Sequence, residues 1–402
     1  MYNFDEIIDR KNTNALNTDG FKSYIFGNEN IELPYKDEDF IRMWVADMEF
    51  ATPDVIIDAM KERLDKRIFG YTKVFGDDYY KAFVNWCKTR YDWSFEQKEL
   101  VTANGVIPAL YELVEYITKP DEKVLFFTPS YAYFKYAADF NNRESVSCDL
   151  INTNGNYTID FEDFEQKVAD EKTTLIIFCN PHNPTGRIWT KEELEKVSQI
   201  IEKHNIWVIS DEIHCDLLRQ NQKHIPFGKI MPMYSKLVTA MAPSKTFNIA
   251  GMMISNIIIR DEALRQKWAD RHYNSDNPLS ITAAQAAYEK GEPWLKELTI
   301  YLDDNFKLVE NYLQEHLPKA LFKISEATYL AWVDVSAYFT EKTDLPLFFA
   351  HNAGVLLEAE TMFLQNSKGY IRLNLACPKT ILLEGLKRIC NSLNNQYMQK
   401  KT

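Results

Sequence analysis

The sequence predicts an α/β protein in which a large domain with a mostly parallel, doubly wound sheet carries a smaller α+β unit. Three observations lead there. The runs Thr174-Leu175-Ile176-Ile177-Phe178 and Ile206-Trp207-Val208-Ile209-Ser210 are almost continuously apolar, as strands covered on both faces must be. Between them, Thr190-Lys191-Glu192-Glu193 has the spacing of a capping box and opens a helix with Leu194, Val197, Ile200 and Ile201 on one face. That strand–helix–strand unit requires a right-handed crossover and so a parallel sheet.

The other elements follow in order. Residues 1 to about 40 are polar and aperiodic and read as an irregular arm. Pro53 opens a helix through Val55, Ile56, Ala59, Met60 and Leu64, and a second helix spans Asp78 to Tyr91. A short strand at 99–102 precedes a helix that starts at Gly105. Lys123–Phe127 is a strand, Tyr131–Phe140 a helix, Ser145–Cys148 a weaker strand and 152–156 a turn-rich insert. Asp160–Val168 is a helix. Leu237–Met241 and Met253–Ile259 complete the large sheet, over about 50–285. Beyond it lies a long amphipathic helix, Trp294–Leu317. The runs 329–333, 355–357 and 370–374 read as antiparallel strands, and a last helix surrounds Leu382–Leu393. Residues 286–402 form the smaller unit, with the arm, 1–49, packed against it.

Composition narrows the function. The chain has 402 residues, 46% hydrophobic and 26% charged, with a formal net charge of −12. An acidic chain without a basic block argues against nucleic acid or an anionic membrane as partner. No apolar run reaches the ~18 residues of a membrane span, and the start lacks a secretory pattern. Six cysteines, with no CxxC pair, read as reduced core thiols of a cytoplasmic protein. No metal-ligand spacing stands out.

Ligands of open α/β sheets sit beyond the carboxyl ends of the strands. Three polar groups fall at such ends here. Asn180-Pro181-His182-Asn183-Pro184-Thr185-Gly186 follows the strand at 174–178, Asp211-Glu212-Ile213-His214 the strand at 206–210, and Ser244-Lys245 the strand at 237–241. Each alone has a plain reading, since Asn-Pro and Thr-Gly make turns and a lysine at a strand mouth can point into solvent. Together they suit one cofactor. A lysine in poorly hydrated surroundings has a lowered pKa and forms an imine with an aldehyde. A buried carboxylate keeps a pyridine nitrogen protonated. A serine hydroxyl and the helix N-terminal amides at Gly105-Val106 cradle a phosphate. That cofactor is pyridoxal phosphate.

The series Tyr131, Asn180-to-Gly186, Asp211-x-x-His214, Ser244-Lys245 and Arg372 resembles the fold-type I aminotransferase superfamily across essentially the whole chain. Trp44-Val45-Ala46-Asp47-Met48, Phe69-Gly70-Tyr71-Thr72, Asp211-Glu212-Ile213-His214 and Ser244-Lys245-Thr246-Phe247-Asn248-Ile249-Ala250-Gly251, closed by Ile371-Arg372-Leu373-Asn374, resemble its cystathionine β-lyase/cysteine-S-conjugate β-lyase branch.

The resemblance implies a pyridoxal 5′-phosphate-dependent transferase-like large domain and a role for each matching residue. Lys245 would join the cofactor and take the Cα proton. Asp211 would face the ring nitrogen, Tyr131 stack on the ring, and Asn183 contact its oxygen. Ser244 with the Gly105, Val106 and Ile107 amides would hold the phosphate, and Tyr71 would reach the phosphate of the neighbouring subunit in a homodimer with shared sites. Arg372 would take the substrate carboxylate in a site bordered by Asn183 and Tyr71. His214 would either contact the ring oxygen or orient its loop, and Tyr131 also reads as a core aromatic. Without a partner, Arg372 in an apolar strand would be a costly buried charge, which favours a ligand carboxylate there. The implied reaction is β-elimination of a Cβ–S bond in cystathionine or a related small-molecule amino acid, with transamination the alternative. Four places depart from the branch pattern: Glu49, Asn104, Ala242-Pro243, and the glycine-poor stretch Glu358 to Ser367.

Overall fold

The computed structural model describes residues 2–272, 276–339 and 342–399. Met1 and 400–402, the extremes of the predicted units, lie outside them.

A seven-stranded sheet is built from β1 (Leu100–Ala103), β2 (Lys123–Thr128), β3 (Glu144–Asp149), β4 (Thr173–Cys179), β5 (Trp207–Asp211), β6 (Leu237–Met241) and β7 (Ser255–Ile259). Their order is β1-β7-β6-β5-β4-β2-β3. β3, β2, β4, β5 and β6 run parallel. The sheet is mostly parallel, as expected, and the segment 253–259 supplies its exception: β7 is antiparallel to both β6 and β1. Residues 242–254 form only a four-residue helix and a 3-10 turn, so the chain turns back instead of crossing over.

The apolar runs of β4 and β5 serve both faces of this sheet. Leu175, Ile177 and Ile209 pack with Val106, Leu110 and Leu113 of helix α1 (Val106–Ile117) on one side. Ile176, Phe178 and Val208 pack with Leu194 and Val197 of helix α3 (Lys191–His204) on the other. Helix α2 (Ala132–Asp139) lies between β2 and β3 in sequence. The capping box of α3 forms as the spacing predicts, with Thr190 and Glu193 each accepting the other's backbone N–H. The insert at 152–156 is a hairpin, Ile151–Thr153 against Asn156–Thr158. Asn154 and Gly155, with φ of 51° and 83°, make the turn.

The long helix α5 (Glu292–His316) leads to a four-stranded antiparallel sheet of β8 (Leu321–Phe322), β9 (Leu330–Asp334), β10 (Glu358–Ala359) and β11 (Tyr370–Asn374), in the order β8-β9-β11-β10. A last helix, α6 (Lys379–Gln399), covers it. The expectation of an antiparallel strand at 355–357 is corrected. Val355–Leu356 pairs in parallel with Ile41–Arg42, and Glu358–Ala359 pairs with β11. One apolar run thus serves two partners, dividing at Leu357.

The arm is more ordered than its composition predicts. Short helices form at Leu16–Asp19 and Phe21–Phe26. Phe21 and Phe40 pack with Trp44, Ala350 and Leu356, so apolar anchors spaced through a polar stretch fix its path.

Candidate active site

β4, β5 and β6 end side by side. Asp211 is the last residue of β5, Asn183 lies in the loop after β4, and Ser244 and Lys245 sit on helix α4 (Pro243–Thr246) just after β6. They open into a cavity of about 1000 Å³, lined also by Gly105, Val106, Ile107, Tyr131, His214 and Arg372. Ten of the eleven residues singled out in the sequence therefore meet. The exception is Tyr71, which is 100% exposed and does not line the cavity.

Lys245 Nζ donates to the carbonyl oxygen of Ala46 at 2.7 Å. The protein packed around this ammonium pushes its pKa down, against the opposite pull of Asp47, and Arg372 adds to the fall. Asp211 is buried, and burial raises its carboxyl to about 7 although the Ile213 N–H, at 3.1 Å, favours the ionised form. Burial likewise lowers the His214 imidazole to about 3, helped by Lys245 and Arg372, which makes it neutral. His214 Nδ1 has no hydrogen-bond partner among the described residues.

Gly105 caps α1 with φ of 119°, which suits glycine. Val106 and Ile107 begin the helix, where backbone N–H groups have no intrahelical acceptor and face the positive end of its dipole. Tyr131, at the N-cap of α2, stacks on Tyr133 with ring centroids 4.8 Å apart. Its hydroxyl lies 3.5 Å from that of Tyr24.

Arg372 is 1% exposed and stands on β11. Its Nη1 donates to Asn183 Oδ1 at 3.3 Å and its Nη2 to the Trp44 carbonyl at 3.1 Å. The expectation that it lacks an internal partner is corrected: Nη2 also pairs with the carboxylate of Glu358. Burial pushes the Glu358 carboxyl up, while Arg372 pulls it down.

Glu358 and Tyr24 line the cavity but were not singled out in the sequence. An isolated acid after Val355-Leu356-Leu357 was the available signal for Glu358. Tyr24 lies in the aperiodic arm and left none.

Motif asparagines explain the shape of the cavity wall. Asn248 accepts from Met48 N at 3.0 Å and donates to the carbonyls of Met48 and Phe50 at 3.0 and 2.8 Å. Asn374 donates to the carbonyls of Val45 and Asp47 at 2.8 and 2.7 Å. Residues 44–50 are thus suspended from side chains of two distant motifs. Glu49, which departs from the branch pattern, takes Arg10 and Asn17 as partners.

The class I and II aminotransferase family model matches residues 38–400. The chain belongs to that family. It is 39% identical to cystathionine beta-lyase PatB of Bacillus subtilis (strain 168), over 89% of this chain and 93% of that one. It is 30% identical to protein MalY of Escherichia coli (strain K12), over 98% of this chain and 99% of that one. The structure of the PLP-bound C-S lyase from Staphylococcus hominis is similar with a TM-score of 0.93 and 50% identity, covering 98% of each chain.

The residues present fit pyridoxal phosphate. A lysine with a lowered pKa, a buried acid, a neutral imidazole with an orphaned nitrogen and a helix N-terminus opened by glycine converge on one cavity. A partly aromatic ligand with an aldehyde, a ring nitrogen and a phosphate satisfies that set.

Proposed function

We propose that this chain is a pyridoxal-phosphate-dependent carbon–sulfur lyase that cleaves the Cβ–S bond of L-cystathionine or a related cysteine S-conjugate, giving thiol, pyruvate and ammonia. The observation that carries the reading is the convergence of Lys245, Asp211 and Arg372 on one cavity. Relatives named as cystathionine beta-lyase and C-S lyase support elimination over transamination.

Bound pyridoxal phosphate supplies an electron sink that acidifies the Cα proton of the amino acid. Lys245 Nζ would be the group that joins the cofactor's aldehyde. Its lowered pKa keeps a fraction of the amine free to act as a base on the Cα proton. Asp211, buried at the end of β5, would face the ring nitrogen of the bound cofactor and, as a carboxylate, would favour its protonated form. Ser244 and the amides after Gly105 would hold the phosphate, Tyr131 would offer a ring face, Asn183 and neutral His214 would border the ring oxygen, and Arg372 would fix the substrate carboxylate.

Tyr71 belongs to the reading through a second copy of the chain. The segment that carries it exposes Ile68 at 71%, Phe69 at 53% and Phe75 at 87%, an apolar surface suited to a homodimer in which Tyr71 reaches the neighbour's site. Six buried free thiols suit the reducing cytoplasm.

A pyruvate assay on cystathionine, with and without added keto acid, tests the activity. The lyase releases pyruvate in both. Pyruvate in neither sinks the reading, and turnover only with keto acid replaces it with transamination.

A further inference from the structure

Glu358 and Arg372 stand in register across β10 and β11. They are 2% and 1% exposed, and they form a closed ion pair. Arg372 Nη2 already serves both Glu358 and the Trp44 carbonyl, while Nη1 serves Asn183. The guanidinium assigned to the substrate carboxylate therefore already holds a carboxylate of the protein.

A second carboxylate on that guanidinium leaves one uncompensated negative charge in an enclosed space, which is unfavourable. Turning Glu358 out to solvent requires more than a rotamer change, because its backbone is fixed by pairing with β11 and its side chain is buried. The charged and titratable groups that face Glu358 are Arg372 on β11, Lys245 after β6, Tyr24 from the arm and Tyr131 at the start of α2. Behind them, Asp47 and Asp211 face Lys245, and His214 faces both cations. In the proposed function Lys245, the second cation, is joined to the cofactor when a ligand arrives, and a ligand without an amine leaves it there. Neutralisation is left to Glu358 itself.

We propose that Glu358 is a specificity-determining residue of the carboxylate site, taking up one proton from solvent as the substrate's carboxylate binds Arg372. The proposal rests on the reading of Arg372 as the carboxylate anchor. Burial pushes the Glu358 carboxyl up while Arg372 holds it down, and a ligand carboxylate that shares Arg372 weakens that hold. Affinity for carboxylate ligands then falls as pH rises, and a ligand with a neutral group in place of the carboxylate escapes that dependence.

The test uses holoenzyme and 3-(methylthio)propionate, which carries the carboxylate and a sulfur-bearing chain but no amine. Titration calorimetry in two buffers of different ionisation enthalpy counts protons. The wild type is expected to take up about one proton, and its Kd to weaken by up to about tenfold per pH unit as pH rises above the range in which the unliganded Glu358 carboxyl titrates. Glu358→Gln is expected to bind without that uptake and with a flatter pH profile. Uptake equal in the two proteins, or none in the wild type, overturns the proposal and leaves the Arg372 reading standing. No binding of the probe to the wild type overturns both. A measurement on the wild type alone covers a variant that fails to fold. A protonated-carboxyl band must appear in the infrared difference spectrum on binding and stay unshifted when the probe's carboxyl is isotopically labelled. Its absence, or its shift with the label, overturns the proposal.

Discussion

Lys245 Nζ donates to the carbonyl oxygen of Ala46 at 2.7 Å, and that same oxygen accepts the Tyr329 hydroxyl at 2.9 Å. The lysine is held toward the wall formed by residues 44–50, in a place where its ammonium is poorly hydrated but not locked in an ion pair. An amine held this way can lose its proton and act as a nucleophile.

Lys245→Ala is therefore expected to fold and to lose at least about 10²–10⁴ in rate. Borohydride treatment of wild-type holoenzyme fixes the cofactor to the protein, and the intact mass of the variant shows no such adduct. An adduct of wild-type yield in the variant removes Lys245 from the role.

Asp211 gives the cofactor-free protein a pH signature. Its folded carboxyl titrates near 7, above the ordinary value of 3.8. At pH below both values the two states carry the same proton, and the group contributes nothing. As pH rises, the unfolded chain releases its proton first, so folded stability falls until about pH 7. The total approaches about 2–4 kcal/mol. Asp211→Asn removes that loss, so its melting temperature should exceed the wild type's at pH 8 and match it near pH 4. Parallel pH profiles would refute the assignment. The same variant as holoenzyme should lose most turnover, because the ring nitrogen loses its anionic partner.

Asn248→Ala removes three hydrogen bonds to residues 48–50. A loss of about 2–3 kcal/mol is expected in denaturant unfolding, with weakened binding at the neighbouring Ala46 carbonyl and Asp47. A loss below about 0.5 kcal/mol would show that water replaces the amide and that the wall supports itself.

The sequence made Asn248 visible as a motif member but not its task. Periodicity and buried apolar runs disclosed the large sheet, because strands covered on both faces need little else to specify them. Strand tips disclosed Asn183, Asp211 and Lys245 for the same reason, since topology fixes where they meet. The parallel pairing of 41–42 with 355–356 joins segments over three hundred residues apart, Tyr24 meets Tyr131 across 107 residues, and Glu358 meets Arg372 only through strand register. Local pattern carries no trace of such contacts. The antiparallel β7 was hidden by a linker of ambiguous length.

Gly186 sits at φ of 66°, and a Cβ there would lie 2.3 Å from Ser325 Cβ and 2.9 Å from the Ala327 carbonyl. Gly186→Ala should destabilise by about 2–4 kcal/mol, through overpacking and backbone strain together. The second change Ser325→Gly should restore part of that loss. No rescue would place the cost in the backbone alone.

The wall at residues 44–50 has a consequence for the order of events during synthesis. Tyr24 and Ala46 leave the ribosome some two hundred residues before the lysine, and Arg372 follows it by more than a hundred. A nascent chain can complete the large sheet, with its cofactor cradle, while Arg372 and Glu358 are still untranslated. In that interval Lys245 has neither the Arg372 guanidinium nor the Glu358 carboxylate beside it. Translation through β11 then brings the guanidinium that the proposed function assigns to the substrate carboxylate.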